Sequence, residues 1–152
     1  MSDLSMLING LKVSAEHGAS FERRNPLDGS VATRAPAASP ADAVMAVEAA
    51  AEAFKTWSET GPPERRALLL KAADALEAKT PQFIEAVPAE TGATGMWAGF
   101  NVFLAAGMLR EAAALTTQVA GEVIPSDVPG SLAMGVRQPV GVVLGIAPWN
   151  AP

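Results

Sequence analysis

Few side chains here could do covalent chemistry, and most of those few are set aside by their neighbours. The chain contains no cysteine, so it has no thiolate nucleophile, no disulfide framework and no Cys-based metal site. Its one histidine, His17, stands beside Gly18 and reads as a solvated turn residue. A lone histidine makes no metal site, and no metal is expected. Glu48 and Glu52 are spaced to lie together on the solvent side of a helix, where no acid–base work is expected. No Gly-x-Ser-x-Gly elbow occurs, which leaves a serine hydrolase without support. Nor is there a Gly-x-Gly-x-x-Gly fingerprint, and Gly141-x-x-x-Gly145 is not a phosphate loop. What remains is the corner Pro148-Trp149-Asn150-Ala151-Pro152, which follows a run of Val, Leu and Ile. Read locally, Asn150 is the N-cap of a following helix, and Ile146, Ala147, Pro148 and Trp149 are core packing with a proline-stiffened turn. Ligands of open α/β sheets bind at the carboxyl ends of strands, so the same four residues are also a candidate ligand edge.

The elements that must carry this corner are legible from punctuation. Met6-Leu-Ile8, Asn9-Gly10 and Lys12-Val13-Ser14 form one hairpin signal. Phe21-Glu-Arg-Arg24, the Asn25-Pro26-Leu-Asp28-Gly29 corner and Ser30-Val-Ala-Thr33 form a second. Ser39 is then a helix cap, Pro40 suits the first helical position, and Asp42 sits at the positive end of the dipole. Val44, Val47, Ala51 and Phe54 recur on one face of that helix. Pro62-Pro63 opens the next, with Leu69, Ala72, Ala73 and Leu76 as its buried stripe. Thr80-Pro81 starts a third through Phe83, Ile84 and Val87, and Pro88 is expected to kink or end it. A long helix over about 93–119 puts Trp97, Phe100, Leu104, Met108 and Leu115 on its inner side. Two strands follow, Glu122-Val-Ile124 and 132–137, joined through Asp127-Val-Pro129-Gly130. The run 140–146 is apolar throughout, as expected of a parallel strand covered on both faces. Hairpins, then helices, then a buried strand make the expected class α/β.

Bulk properties narrow the class further. At 152 residues, 49% of them hydrophobic, the chain is long enough for one core and too apolar for disorder. A net charge of −5 with scattered Arg and Lys excludes a nucleic-acid surface. Met1-Ser-Asp-Leu-Ser5 has neither the basic start nor the apolar core of a signal peptide; with no cysteine, the expected location is the cytoplasm. The stretch 91–109 is uncharged and nearly long enough to span a bilayer. Its Thr91, Thr94, Asn101 and glycines suit a buried helix of a globular core better than a lipid-facing one, so no membrane partner is expected.

The ordered landmarks resemble a known family. Leu7-Ile-Asn-Gly10, Arg24-Asn-Pro26, Asp28-Gly29, Glu64-Arg65-Arg66 with the leucines after it, Glu90-Thr91-Gly92, Gly121-Glu-Val-Ile-Pro125, Pro139-Val-Gly-Val-Val143 and Pro148-Trp149-Asn150-x-Pro152 are similar, in that order, to the N-terminal part of aldehyde dehydrogenases. Gly95-Met-Trp-Ala-Gly-Phe-Asn101 and Ala105-Ala-Gly-Met-Leu-Arg-Glu-Ala112 look closest to bacterial salicylaldehyde dehydrogenases, with vanillin and benzaldehyde dehydrogenases as near neighbours. Pro88 departs from the family, whose helix continues to the Glu-Thr-Gly.

The resemblance implies hairpins and helices of the cofactor domain over 1–120, strands of an oligomerisation arm over 121–139, and the first buried strand and corner of a truncated Rossmann-like sheet over 140–152. It implies NAD(P)-dependent oxidation of an aldehyde, an aromatic one of the salicylaldehyde kind, to the carboxylic acid, by way of a cysteine thiohemiacetal. NAD is the expected cofactor and NADP an alternative. The side-chain amide of Asn150 is placed in the oxyanion hole, and Ile146, Ala147, Pro148 and Trp149 against the dinucleotide. Phe103, Gly107 and Met108 are placed along the substrate tunnel, although such a stripe also suits plain core. The cysteine, the general-base glutamate and the ribose-holding residues are not in this chain, so alone it is expected to be inactive. In full-length form a homo-oligomer, dimer or tetramer, is implied. Two alternatives stand beside this: a non-catalytic short protein that pairs with full-length subunits through its 121–138 strands, and a small membrane-associated protein.

Overall fold

The computed structural model describes residues 2–148; Trp149, Asn150, Ala151 and Pro152, on which the corner depends, lie outside the described residues. The chain opens with strand β1 (Ser2–Asp3) and the hairpin β2 (Met6–Ile8) and β3 (Leu11–Val13). Its turn residues Asn9 and Gly10 both have positive φ, 52° and 74°, the conformation that Asn-Gly adopts at least cost. The register follows, with Met6 opposite Val13 and Ile8 opposite Leu11. The second hairpin pairs β4 (Ser20–Arg24) with β5 (Val31–Pro36), and β1 adds in parallel to the other edge of β5. Its corner is held from within: Asn25 Oδ1 accepts from Leu27 N and Asp28 Oδ1 from Ser30 N, both at 2.9 Å.

Helix α1 (Pro40–Trp57) begins where the sequence places it. Ser39 Oγ accepts from Asp42 N at 3.2 Å, and Asp42 Oδ2 accepts from Ser39 N at 2.8 Å, a reciprocal capping box. The same carboxylate oxygen accepts from Glu16 N at 3.1 Å, which joins α1 to the turn Glu16–Gly18 after β3. At the other end, Arg65 donates to the carbonyl of Ser58 at 3.1 Å and lies over the Trp57 ring. Of the expected apolar stripe, Phe54 is half-buried and Ala51 is exposed. Val44 and Val47 are more than half exposed.

Helices α2 (Pro62–Glu77), α3 (Thr80–Thr91) and α4 (Gly95–Leu115) pack together. Of the expected α2 stripe, Ala73 is fully buried, Leu69 and Leu76 are half-buried, and Ala72 is exposed. Helix α3 runs through Pro88 to Thr91 rather than ending there. The proline lies in the last turn, and its own carbonyl accepts from Gly92 N at 2.9 Å; Gly92, at φ 73°, supplies the left-handed stop. Buried Thr33 donates to Glu90 Oε1, and Arg23 approaches Glu90 Oε2 at 3.5 Å, tying the second hairpin to α3.

Helix α4 is shorter than expected and rotated from the expected orientation. Its buried residues are Ala98, Val102, Ala106 and Ala113, whereas Trp97, Phe100, Leu104, Met108 and Leu115 are exposed. The close approach of α3 gives the reason: a Cβ on Gly95 would lie 3.1 Å from Ile84 Cγ2. Beside Ile84 there is room only for small residues, and Gly95 and Gly99 stand there, while the bulky Trp97 and Phe100 face outward. The helix is long and apolar enough to cross a membrane by length and composition, but one flank is seated against α2 and α3.

Strands β6 (Glu122–Ile124) and β7 (Ala133–Gly135) form a hairpin, with β7 shorter than the expected 132–137. The run 140–146 is not a strand. Its side chains have the right composition, but a strand needs a neighbour to take up its N–H and C=O groups. Among the described residues no strand lies beside it.

Candidate functional site

The described residues bring together one apolar surface, the outer side of α4. Phe103 is 70% and Met108 63% exposed, and Gly107 is exposed between them. At about 100° per residue, Phe103 and Gly107 lie about 40° apart around the helix and Met108 about 100° further on. Phe100, stacked on Trp97 with ring centroids 5.7 Å apart, extends the surface towards the N-terminus. Gly107 is a notch in it: an added Cβ would meet nothing within 4 Å, and its φ is not positive. Helix geometry and packing within the described residues therefore do not require a glycine here. Gly95 contrasts with it, since Ile84 occupies the space beside it.

The expected cofactor edge is placed in part. Ile146, Ala147 and Pro148 are exposed and follow an irregular segment in which Gly141 has φ 100°. Trp149 and the oxyanion candidate Asn150 lie outside the described residues. His17 is solvated, with φ 57° in its turn, and Glu52 is spent on an ion pair with Lys55.

A further polar feature was not anticipated from the sequence. Arg110, near the end of α4, donates Nη1 to Glu77 Oε1 and Nη2 to Glu77 Oε2, both at 2.7 Å, and Nη2 also to Asp74 Oδ1 at 2.9 Å. The guanidinium beside it holds the Glu77 carboxyl below its ordinary value, and the two carboxylates raise Arg110 above its own. The available signal was a single arginine in a mostly apolar helix, with Asp74 and Glu77 one turn apart on α2.

Comparison with known proteins decides the family. The aldehyde dehydrogenase family model matches residues 12–152. The chain belongs to the aldehyde dehydrogenase family. A vanillin dehydrogenase of Pseudomonas fluorescens is 60% identical over the whole chain, which covers 31% of that relative. The structure of a salicylaldehyde dehydrogenase from Pseudomonas putida G7, complexed with salicylaldehyde, superposes with a TM-score of 0.88 at 48% identity, covering 93% of this chain and 29% of that one. An NAD-dependent benzaldehyde dehydrogenase from Corynebacterium glutamicum superposes at 0.77 with 33% identity, over 83% of this chain and 28% of that one. The chain thus spans about 30% of the length of the family members it matches. The helices and small sheets are those of the N-terminal cofactor-binding region of the family, as the resemblance implied.

Proposed function

We propose that this chain is the N-terminal portion of an NAD(P)-dependent dehydrogenase that oxidises an aromatic aldehyde to the carboxylic acid. What carries the reading is the family match along nearly the whole chain, together with the open aromatic surface and glycine notch on α4. A flat ring fits such a surface: Phe103 and Met108 supply apolar contact, and Gly107 leaves room for the ring edge. Exposed Ile146, Ala147 and Pro148 have free apolar surface on which a nicotinamide and its ribose could rest. Bound there, the dinucleotide supplies the hydride acceptor.

Asn150 is the proposed oxyanion-hole donor. Attack of a thiolate on the aldehyde carbonyl opens the C=O π bond and leaves negative charge on oxygen. A preorganised side-chain N–H aimed at that oxygen lowers the barrier to its formation. The thiolate must come from sequence beyond this chain, which has no cysteine, so the isolated chain is proposed to be inactive.

The test is NADH formation by a full-length dehydrogenase carrying this chain, with salicylaldehyde, vanillin and acetaldehyde in parallel. Asn150→Ala should lower kcat about 100- to 1,000-fold, as removal of an oxyanion donor does elsewhere. Equal turnover of acetaldehyde and the aromatic substrates, or an undiminished variant, would overturn the reading. A second reading rests on the β6–β7 hairpin, whose Val123 and Met134 are exposed: a short product that pairs with full-length subunits. Size-exclusion of a mixture with full-length enzyme tests it, and separate elution would dismiss it.

A further inference from the structure

The interface of α4 is built from small groups. Ala98, Val102, Ala106 and Ala113 are buried on α4, and fully buried Ala73 lies on the facing helix α2. Methyl-sized contacts allow close approach but resist sliding and rotation weakly; Ile84 is seated against Gly95 and Gly99, but these lie about three turns or more before Arg110. Arg110 supplies the directional contact that such a surface needs. Its planar fork matches the Glu77 carboxylate with two parallel bonds and reaches Asp74 with a third.

Its place around the helix is what matters. At about 100° per residue, Phe103 lies about 20° and Gly107 about 60° from Arg110 on one side, while Ala106 and Ala113 lie about 40° and 60° away on the other. Arg110 therefore stands on the seam between the packed flank and the open aromatic one. We propose that Arg110 is a positioning residue: its fork onto Glu77 and Asp74 sets the rotation of α4 against α2, and so sets where Phe103 and Gly107 stand for an incoming aromatic aldehyde. The inference rests on the proposed aldehyde-facing role of α4. The groups involved remain partly exposed, Arg110 by 38% and Glu77 by 40%. A bidentate Arg–carboxylate fork within a charge network is the arrangement in which a partly exposed pair does act, and its planar geometry fixes the relative orientation of the helices that carry it.

The experiment uses the full-length dehydrogenase carrying this chain, with Arg110→Met, Arg110→Lys and Glu77→Gln, and Gly107→Leu as a probe of the surface itself. Arg110→Met should raise KM for vanillin or salicylaldehyde roughly 5- to 10-fold, short of the ~100-fold that a 1 Å misplacement can cost. Both kcat and KM for acetaldehyde should stay within about twofold. Arg110→Lys keeps the charge but not the fork, and should fall between wild type and Arg110→Met. Parallel losses for aromatic and small aldehydes, tracking a fall in Tm, would show a structural role only and overturn the proposal. If Arg110→Met does not fold, the same aromatic-selective KM shift is required of Arg110→Lys and Glu77→Gln, and its absence overturns it equally. If Gly107→Leu leaves the aromatic KM unchanged, the aldehyde-facing role of α4 itself has failed. If Gly107→Leu raises it and the Arg110 variants do not, only the positioning role has failed.

Discussion

Replacing Gly107 by alanine should act in opposite senses on stability and on catalysis. The site is inside α4, and a Cβ built there meets no atom within 4 Å. In the chain by itself the substitution therefore introduces no clash and restricts only the unfolded state. Glycine is less favourable than alanine in a helix interior by about 0.8–1.0 kcal/mol, part of it unfolded-state entropy. The variant chain should be more stable by about that amount, which for a domain of this size raises Tm by roughly 2–4 °C. Urea unfolding followed by far-UV circular dichroism reads the same change as a shift in midpoint at constant slope. In the full-length enzyme the same methyl projects into the space proposed for the aromatic ring. A mismatch of that size is worth about 1–3 kcal/mol, so kcat/KM for vanillin should fall by roughly 10-fold or more while acetaldehyde is spared. A chain destabilised by Gly107→Ala would refute the open geometry described for the notch. A stabilised chain whose full-length enzyme handles vanillin normally would refute the assignment of the notch to substrate.

Two further outcomes follow from the hydrogen bonds and the turns. Amides of Ser39 and Glu16 hold the Asp42 carboxyl below its ordinary value; its stabilisation should be complete above the unfolded value of about 3.9 and lost as pH falls through the lower folded one. Asp42→Asn should accordingly be less stable than wild type at pH 6, with the gap narrowing in acid; a gap that widens in acid contradicts this sign. At Gly121 a Cβ would stand 2.3 Å from the Gly135 carbonyl oxygen, so Gly121→Ala should open the β6–β7 hairpin. Amide protection of Glu122 and Ile124 that persists in the variant would count against the close approach.

Much of the first half was legible because its signals are local. Asn9-Gly10 specifies its own turn, and Ser39, Pro40 and Asp42 specify their own cap. The orientation of α4 was not legible, since Trp97, Phe100 and Leu104 recur with the same helical period as Ala98, Val102 and Ala106. On a helix apolar nearly all round, periodicity does not choose the inner side; the distance of approach of α3 chooses it. The Arg110 fork spans 33 residues to Glu77; the lone arginine and the Asp74/Glu77 pair stand in the sequence, but only the packing of α4 on α2 brings them together. The run 140–146 shows the reverse: its composition is that of a strand, but a ladder belongs to two segments, and only one of them is described. Of the candidate site, Phe103, Gly107 and Met108 are each exposed on α4, although periodicity alone had Met108 facing inward.

Helix α1 is held like a beam pinned at its two ends. Asp42 pins the first turn to the Glu16 amide, and Arg65 holds the last through the Ser58 carbonyl and the Trp57 ring. Helices fray from their ends, so pinning both ends suppresses the main route by which an 18-residue helix loses order. The direction of α1 is therefore set without any contribution from Val44 and Val47. Substitutions along the open flank should leave the helix where it stands, whereas loss of either anchor frees it to swing about the other.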